Sequence, residues 1–158
     1  MDLLTRVYLE RGGNELLIAK TLKRITEENN AKKFLEVDEN ATFYSAVISH
    51  AYYAIFFTAK AILLTKSIKT EMPDVHKKTY EAFKKYCVET GLLDVALLTI
   101  YQKMVVRADE LLEIFKDEKW KRGHFTYQTI PQANKEPAEQ SIRNAALFIK
   151  NITLILEK

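Results

Sequence analysis

The chain has 158 residues, 47% of them hydrophobic and 11% aromatic, enough to bury one core without cross-links. A lone Cys87 excludes an intramolecular disulfide, and a net charge of +3 is too mild to imply a nucleic-acid surface by itself, although it permits an anionic partner. The opening "MDLLTRVYLERGG" mixes acid and base within a short apolar pattern, unlike a cleavable signal segment, so a cytoplasmic location is expected.

Four glycines and three prolines, read with the capping residues, divide the chain into helices and leave no linker or low-complexity tract. "LLTRVYLE" reads as a short turn of its own. Gly12 and Gly13 then lead into a first helix from about Asn14, its cap, to Leu35, with Leu22 and Ile25 on a helical period. A second helix from about Phe43 to Lys66 is apolar on nearly every side. Its 22-residue stretch "FYSAVISHAYYAIFFTAKAILL" approaches the length of a membrane span, but His50, Lys60, two serines and three tyrosines interrupt it and "VDENAT" precedes it. A helix buried in a bundle, with its remaining face against another subunit, is the better reading, and no membrane is expected. Tyr44, Tyr52 and Tyr53 suit that subunit contact, each pairing a large apolar body with a hydroxyl, so a homodimer is predicted.

Pro73 and Asp74 start a third helix, in which His76, Tyr80, Phe83 and Cys87 form a buried stripe before Gly91 stops it. A fourth starts near Asp94, carries Leu97, Ile100, Met104, Ala108, Leu111 and Phe115 at helical spacing, and runs to the basic end "KDEKWKR" before Gly123. A fifth is capped by Asn134, accepts Pro137 in its first turn, and shows a seam of Ala138, Ile142, Ala145, Ile149, Ile152 and Leu156. Nothing alternates with period two over a useful length. The expected fold is therefore all-α, an antiparallel up-and-down bundle of four to five helices forming one domain over residues 1–158.

Ser49-His50-Ala51-Tyr52-Tyr53-Ala54-Ile55-Phe56, followed by Ala59-Lys60-Ala61-Ile62-Leu63, resembles the second helix of HEPN domains, the "higher eukaryotes and prokaryotes nucleotide-binding" bundles, whose motif reads S-x-A-Y-Y-A-x-F-x-x-A-K-A-L-L. Ile62 is the one departure. Lys69-Thr70 and the separated His76 resemble the family's K-T-H, Thr90-Gly91-Leu92-Leu93-Asp94 its T-G-x-L-D turn, and Arg107-Ala108-Asp109 its R-A-D-Y run with Glu110 in place of Tyr. The likeness spans roughly Ala19 to the C-terminus. It implies a four- or five-helix bundle that dimerises and, in many members, a metal-independent ribonuclease or toxin paired with a small nucleotidyltransferase. The family's nuclease signature is an Arg, four to six intervening residues, then a His: the guanidinium fork holds the scissile phosphate and the imidazole moves protons near neutral pH.

No Arg and His of this chain stand in that order and spacing. Arg122 and His124 are separated by a single residue, and Tyr127, which sits where the His is expected, has an ordinary pKa near 10 that suits a general base poorly at neutral pH. The expectation is accordingly a domain that binds nucleotide or RNA without cleaving it. Catalysis is left only to a rearranged pair of Arg122 and His124. Lys119, Trp120, Lys121, Arg122, His124, Phe125 and Tyr127 place cations beside aromatic faces, which suits a phosphate and a base or an unpaired strand. The same stretch also has a purely structural reading, in which Gly123 stops the helix, the cations compensate its dipole and the rings tuck the loop onto the bundle. The ligand-binding candidates are thus Lys119, Lys121, Arg122, His124 and Tyr127.

His76 and His50 read as packed side chains, Cys87 as a small apolar filler, and Glu27-Glu28 and Asp117-Glu118 as solvated faces. Three histidines without close carboxylate or thiolate spacing predict no metal site, and no cofactor is implied, since glycine-rich phosphate loops and nucleophile elbows are absent. The competing class is a non-catalytic oligomeric bundle whose tyrosines and apolar faces dock another protein.

Overall fold

The computed structural model describes residues 1–120 and 134–158, with side chains described for 1–108 and 134–158. Among them are six α-helices and no strand: α1 (Leu3–Glu27), α2 (Asn29–Phe34), α3 (Tyr44–Thr65), α4 (Val75–Phe83), α5 (Val95–Trp120) and α6 (Lys135–Leu156). The all-α fold class expected from the pattern is the one observed, with two short helices, α2 and α4, beside four long ones.

The order of contacts gives the directions. Tyr8 meets Phe57, Gly12 meets Thr58 and Ala54, Glu15 meets His50, and Thr26 meets Phe43, so partners on α3 fall in number as those on α1 rise. Lys23 and Glu139 pair, as do Glu27 and Lys135, which makes α1 antiparallel to α6 as well. Tyr101 packs on Phe148 and Arg107 bonds to Pro137, so α5 runs against α6. The long helices therefore alternate in direction along the chain.

α1 departs from the sequence reading. It starts at Leu3, where the Asp2 carboxylate accepts the Thr5 amide at 2.8 Å and holds the first turn, and it runs unbroken through Gly12 and Gly13. Asn14 is not a cap. Gly12 is buried because α1 approaches α3 there: a Cβ at Gly12 would stand 2.5 Å from Thr58 Oγ1 and 3.1 Å from the Ala54 carbonyl oxygen. The glycine marks close contact between helices. The end of α1 and the start of α3 are tied together by Thr26, whose hydroxyl donates to the Leu22 carbonyl and accepts the Phe43 amide at 2.9 Å.

α3 is the central element and lies against α1, α4, α5 and α6. It is long and apolar enough to cross a membrane, yet 67% of its most apolar stretch is buried within the bundle, the position of a core helix. It closes in a Schellman turn: Ile68 N–H donates to the Leu63 carbonyl, Ser67 N–H to that of Leu64, and Ser67 takes the left-handed conformation at φ 59°. The core gathers Ile48, Ile55 and Ile62 of α3 with Phe83, Cys87, Tyr101, Met104, Phe148 and Ile152. Desolvation pushes the Cys87 thiol up to about 11, so the filler expected at that position is a protonated one.

Two further expectations change. α4 passes into a π turn at Lys84–Val88, and of its predicted stripe Phe83 and Cys87 are buried and Tyr80 half-buried, with Thr79 buried beside them; His76 sits in the first turn, exposed at the rim above Phe56. On α6 the buried seam is Ala138, Ser141, Ala145, Phe148 and Ile152, with Ile142 and Ile149 on its flank. A polar Ser141 belongs to that seam because its hydroxyl donates to the Pro137 carbonyl and accepts from Arg107.

Candidate functional site

Because α3 is enclosed on most sides, its open face narrows to one line, His50, Tyr53, Phe57 and Lys60, at spacings of three, four and three. α1 lies alongside and adds Tyr8, Arg11 and Glu15. Arg11 lays its guanidinium on the Phe57 ring, 4.4 Å from the centroid, and makes no hydrogen bond or ion pair among the described residues. Tyr8 and Tyr53 both stack on Phe57, each 6.1 Å away centroid to centroid. Lys60 places its ammonium 4.9 Å from the Tyr8 ring centroid and donates to the Thr70 carbonyl at 3.1 Å. At the other end Glu15 Oε2 lies 2.6 Å from His50 Nδ1, which fixes that nitrogen toward the carboxylate on a side chain 33% exposed.

His76 borders this strip from α4. Its ring stacks on Phe56 at 4.3 Å, meets Tyr53 edge-on at 5.8 Å, and shares a 2.8 Å hydrogen bond between Nδ1 and the Tyr52 hydroxyl.

The three tyrosines expected at a subunit contact do not share a face. Tyr53 is 39% exposed, whereas Tyr52 is 8% exposed and belongs to the core. Tyr44 is half-buried at the far end of α3, where its hydroxyl donates to Glu27 Oε1 at 3.1 Å; burial, reinforced by that carboxylate, raises its pKa. Lys119 falls in the last turn of α5, but its side chain, together with Lys121, Arg122, His124 and Tyr127, lies outside the described residues. Arg11, Glu15 and Tyr8 carry no functional signal in the sequence as long as the first helix is taken to begin at Asn14. Their spacing along one helix is the signal that joins them.

A second charged region lies between α1 and α6, a groove of about 520 Å³. Its charges are largely spent on one another. Lys23 bonds Glu27 at 2.7 Å and Glu139 at 3.3 Å, and Arg24 bonds Glu28 at 2.9 Å. The Glu27 hydrogen bond is the main reason the Lys23 pKa is raised. Burial alone would raise the Glu27 carboxyl, but hydrogen bonds from Lys23 and Tyr44, with the charges of Lys23 and Lys135, hold it below its ordinary value. This network clamps two helices. Among the described residues no group of three or more His, Cys, Asp and Glu side chains gathers to hold a metal.

The third cluster surrounds Arg107. Its guanidinium donates to the Pro137 carbonyl and Ser141 Oγ, both at 3.1 Å, and to Gln140 Oε1 at 2.9 Å, fastening α5 to the first turns of α6. Asn134, immediately before that turn, makes no side-chain capping bond, so the first amides of α6 are not taken by its cap.

The family model described as HEPN domain matches residues 19–155. Two proteins of Methanocaldococcus jannaschii are similar over most of both chains. One, named "Putative toxin MJ0142", is 30% identical over 138 residues, covering 85% of this chain and 81% of its own. The other, "Putative toxin MJ0605", is 32% identical over 140 residues, covering 88% and 89%. No solved structure matches the chain.

Proposed function

This chain belongs to the HEPN domain family, and on that premise we propose that it is the helical, toxin-like half of a paired system, binding nucleotide or RNA and partnered by a separately encoded small nucleotidyltransferase. Lys119, Lys121 and Arg122 supply the cations, His124 an imidazole, and Tyr127 a ring for a base. The observation that carries the reading is the Arg107 clamp. It fixes the start of α6, with first amides that its cap residue does not engage, to the same α5 whose C-terminal end begins the basic run. The chain acts as a homodimer and needs no metal.

The test is incubation of the purified protein with labelled RNA and, separately, ATP, scoring retention and cleavage over a range of salt. Retention that falls steeply with ionic strength, weakens in Arg122→Ala and leaves RNA intact is the expected result. RNA cleavage lost in His124→Ala would replace the binding reading with a nuclease using a rearranged pair. Retention of neither ligand at low salt would leave a protein-docking bundle.

A further inference from the structure

We propose that the open strip of α3 and α1 is a second nucleic-acid contact, taking a short stretch of single strand through the Arg11 guanidinium, the Lys60 ammonium and the exposed Tyr53 ring. The choice of RNA as ligand rests on the function proposed above; the place is independent of it. Four observations converge there. Arg11 sits over the Phe57 ring, and none of its N–H groups is engaged among the described residues, so its fork is positioned and unspent. Lys60 stands on the same side of α3 and gives one hydrogen bond, to Thr70, leaving donors over. Tyr53 offers an exposed ring braced by Phe57 on one side and His76 on the other, a platform whose orientation is already fixed. His50 closes the far end, and Glu15, the carboxylate that Arg11's own helix brings to this strip, is engaged at 2.6 Å by His50 Nδ1.

Length and alternation suit a strand better than a mononucleotide. From His50 to Lys60 is ten residues of helix, about 15 Å, with an imidazole at one end, an ammonium at the other and Arg11 between them. Cations interleaved with ring faces along a line are what a phosphate backbone with unstacked bases requires, and the recognition is tolerant of sequence because every base has a π face. The α1–α6 groove offers no such surface, since most of its charges pair internally and no aromatic ring lines it.

The experiment uses the whole protein with a uridine-rich RNA carrying 4-thiouridine, read by fluorescence anisotropy and by photo-crosslinking with peptide mapping. Crosslinks are expected on the segments holding Tyr8 to Arg11 and Tyr53 to Lys60. Arg11→Gln should weaken binding and flatten the salt dependence by about 0.7 in log–log slope, one phosphate's worth on a single strand. Tyr53→Leu should weaken binding by at least about fivefold, the loss of one stacked base. Thermal melts confirm that both variants fold, and Arg11, an exposed residue, keeps the test alive if Tyr53→Leu does not. Wild-type affinity in both variants, with loss only in Arg122→Ala, overturns the strip and leaves the binding function standing. Absence of any RNA retention by the wild type overturns both. Conversion of a dimer to a monomer by Tyr53→Leu with RNA affinity unchanged would identify the strip as a subunit interface and overturn it as a strand site.

Discussion

Gly12 and Gly13 are neighbours in sequence, lie in the same helix, and are expected to respond to alanine in opposite directions. In mid-helix, Gly→Ala stabilises by about 0.5–1 kcal/mol through reduced backbone entropy of the unfolded chain and better helix propensity. A methyl group added at Gly13 would meet nothing within 4 Å, so that position should show the gain in full. At Gly12 the added methyl meets Thr58 Oγ1 at 2.5 Å and the Ala54 carbonyl oxygen at 3.1 Å. Neither yields easily: Thr58 is β-branched, stiff at χ1 and bonded to Ala54 at 2.8 Å, and the second atom is backbone. Relief requires α1 to move off α3, disturbing the Tyr8–Phe57 stack on one side and the Glu15–His50 pair on the other. Overpacking of this kind costs about 1–3 kcal/mol, and with two contacts to relieve the upper part of that range applies. Subtracting the propensity gain leaves Gly12→Ala destabilised by about 1–2 kcal/mol. Urea unfolding followed by far-ultraviolet dichroism reads the difference, and the two variants should differ by about 2–3 kcal/mol at unchanged m. Thr58→Ala in the Gly12→Ala background removes the nearer clash and should couple favourably by at least about 0.5 kcal/mol. A Gly12→Ala protein as stable as Gly13→Ala would refute the close approach of α1 and α3.

Ser67→Gly should stabilise by about 0.5–1 kcal/mol in the same assay, because a non-glycine residue in the left-handed region is strained by about 1–2 kcal/mol and glycine's added entropy recovers only part of that. Tyr101 is fully buried, its hydroxyl has no hydrogen-bond partner among the described residues, and burial drives its pKa well above the ordinary value; Tyr101→Phe should therefore raise stability by about 1 kcal/mol, and a loss of that size would reveal a partner. Glu27 titrates below its usual 4.5, so the stability it supplies is present above that pH and lost as pH falls through the lower folded value. Glu27→Gln should cost up to about 1 kcal/mol at neutral pH, with the deficit closing in urea melts as the pH falls below the ordinary carboxylate value. Arg107→Ala should speed amide hydrogen exchange in the first turns of α6 more than in α3, with about 1–3 kcal/mol lost as buried Ser141 loses its donor; uniform exchange across both helices would argue against a local clamp.

The fold class and the positions of α3, α5 and the start of α6 are legible in the sequence because their signals are local: an apolar run of fixed length, a helical period, an Asn134 at the N-cap position, though its side chain makes no capping bond, with Pro137 in the first turn. What misleads is tertiary. Gly12-Gly13 has the form of a break, and nothing in the neighbouring residues says that Thr58, 46 positions on, requires a missing Cβ there. On α6 two seams exist one residue apart, through Ile142 and Ile149 or through Ser141 and Phe148. Hydrophobicity favours the first; the structure adopts the second because Arg107 satisfies Ser141 and Phe148 fills the space between Phe83 and Tyr101.

The strip beside α3 is illegible for a related reason. A helix apolar all round gives no moment from which to read its exposed face, so His50, Tyr53 and Lys60 look like interruptions of a buried segment. Enclosure makes them orderly. With α1, α4, α5 and α6 around it, the middle of α3 opens chiefly along one line among the described residues, and both of its basic side chains, His50 and Lys60, use it to keep polar atoms out of the core. α1 can lie close enough to add Arg11 and Glu15 to that outlet because Gly12, between them, has no side chain to hold the helices apart. The same missing methyl thus sets the packing of the bundle and the composition of its exposed strip, so a substitution at Gly12 is expected to disturb stability and ligand retention together, whereas Arg11→Gln should alter retention alone.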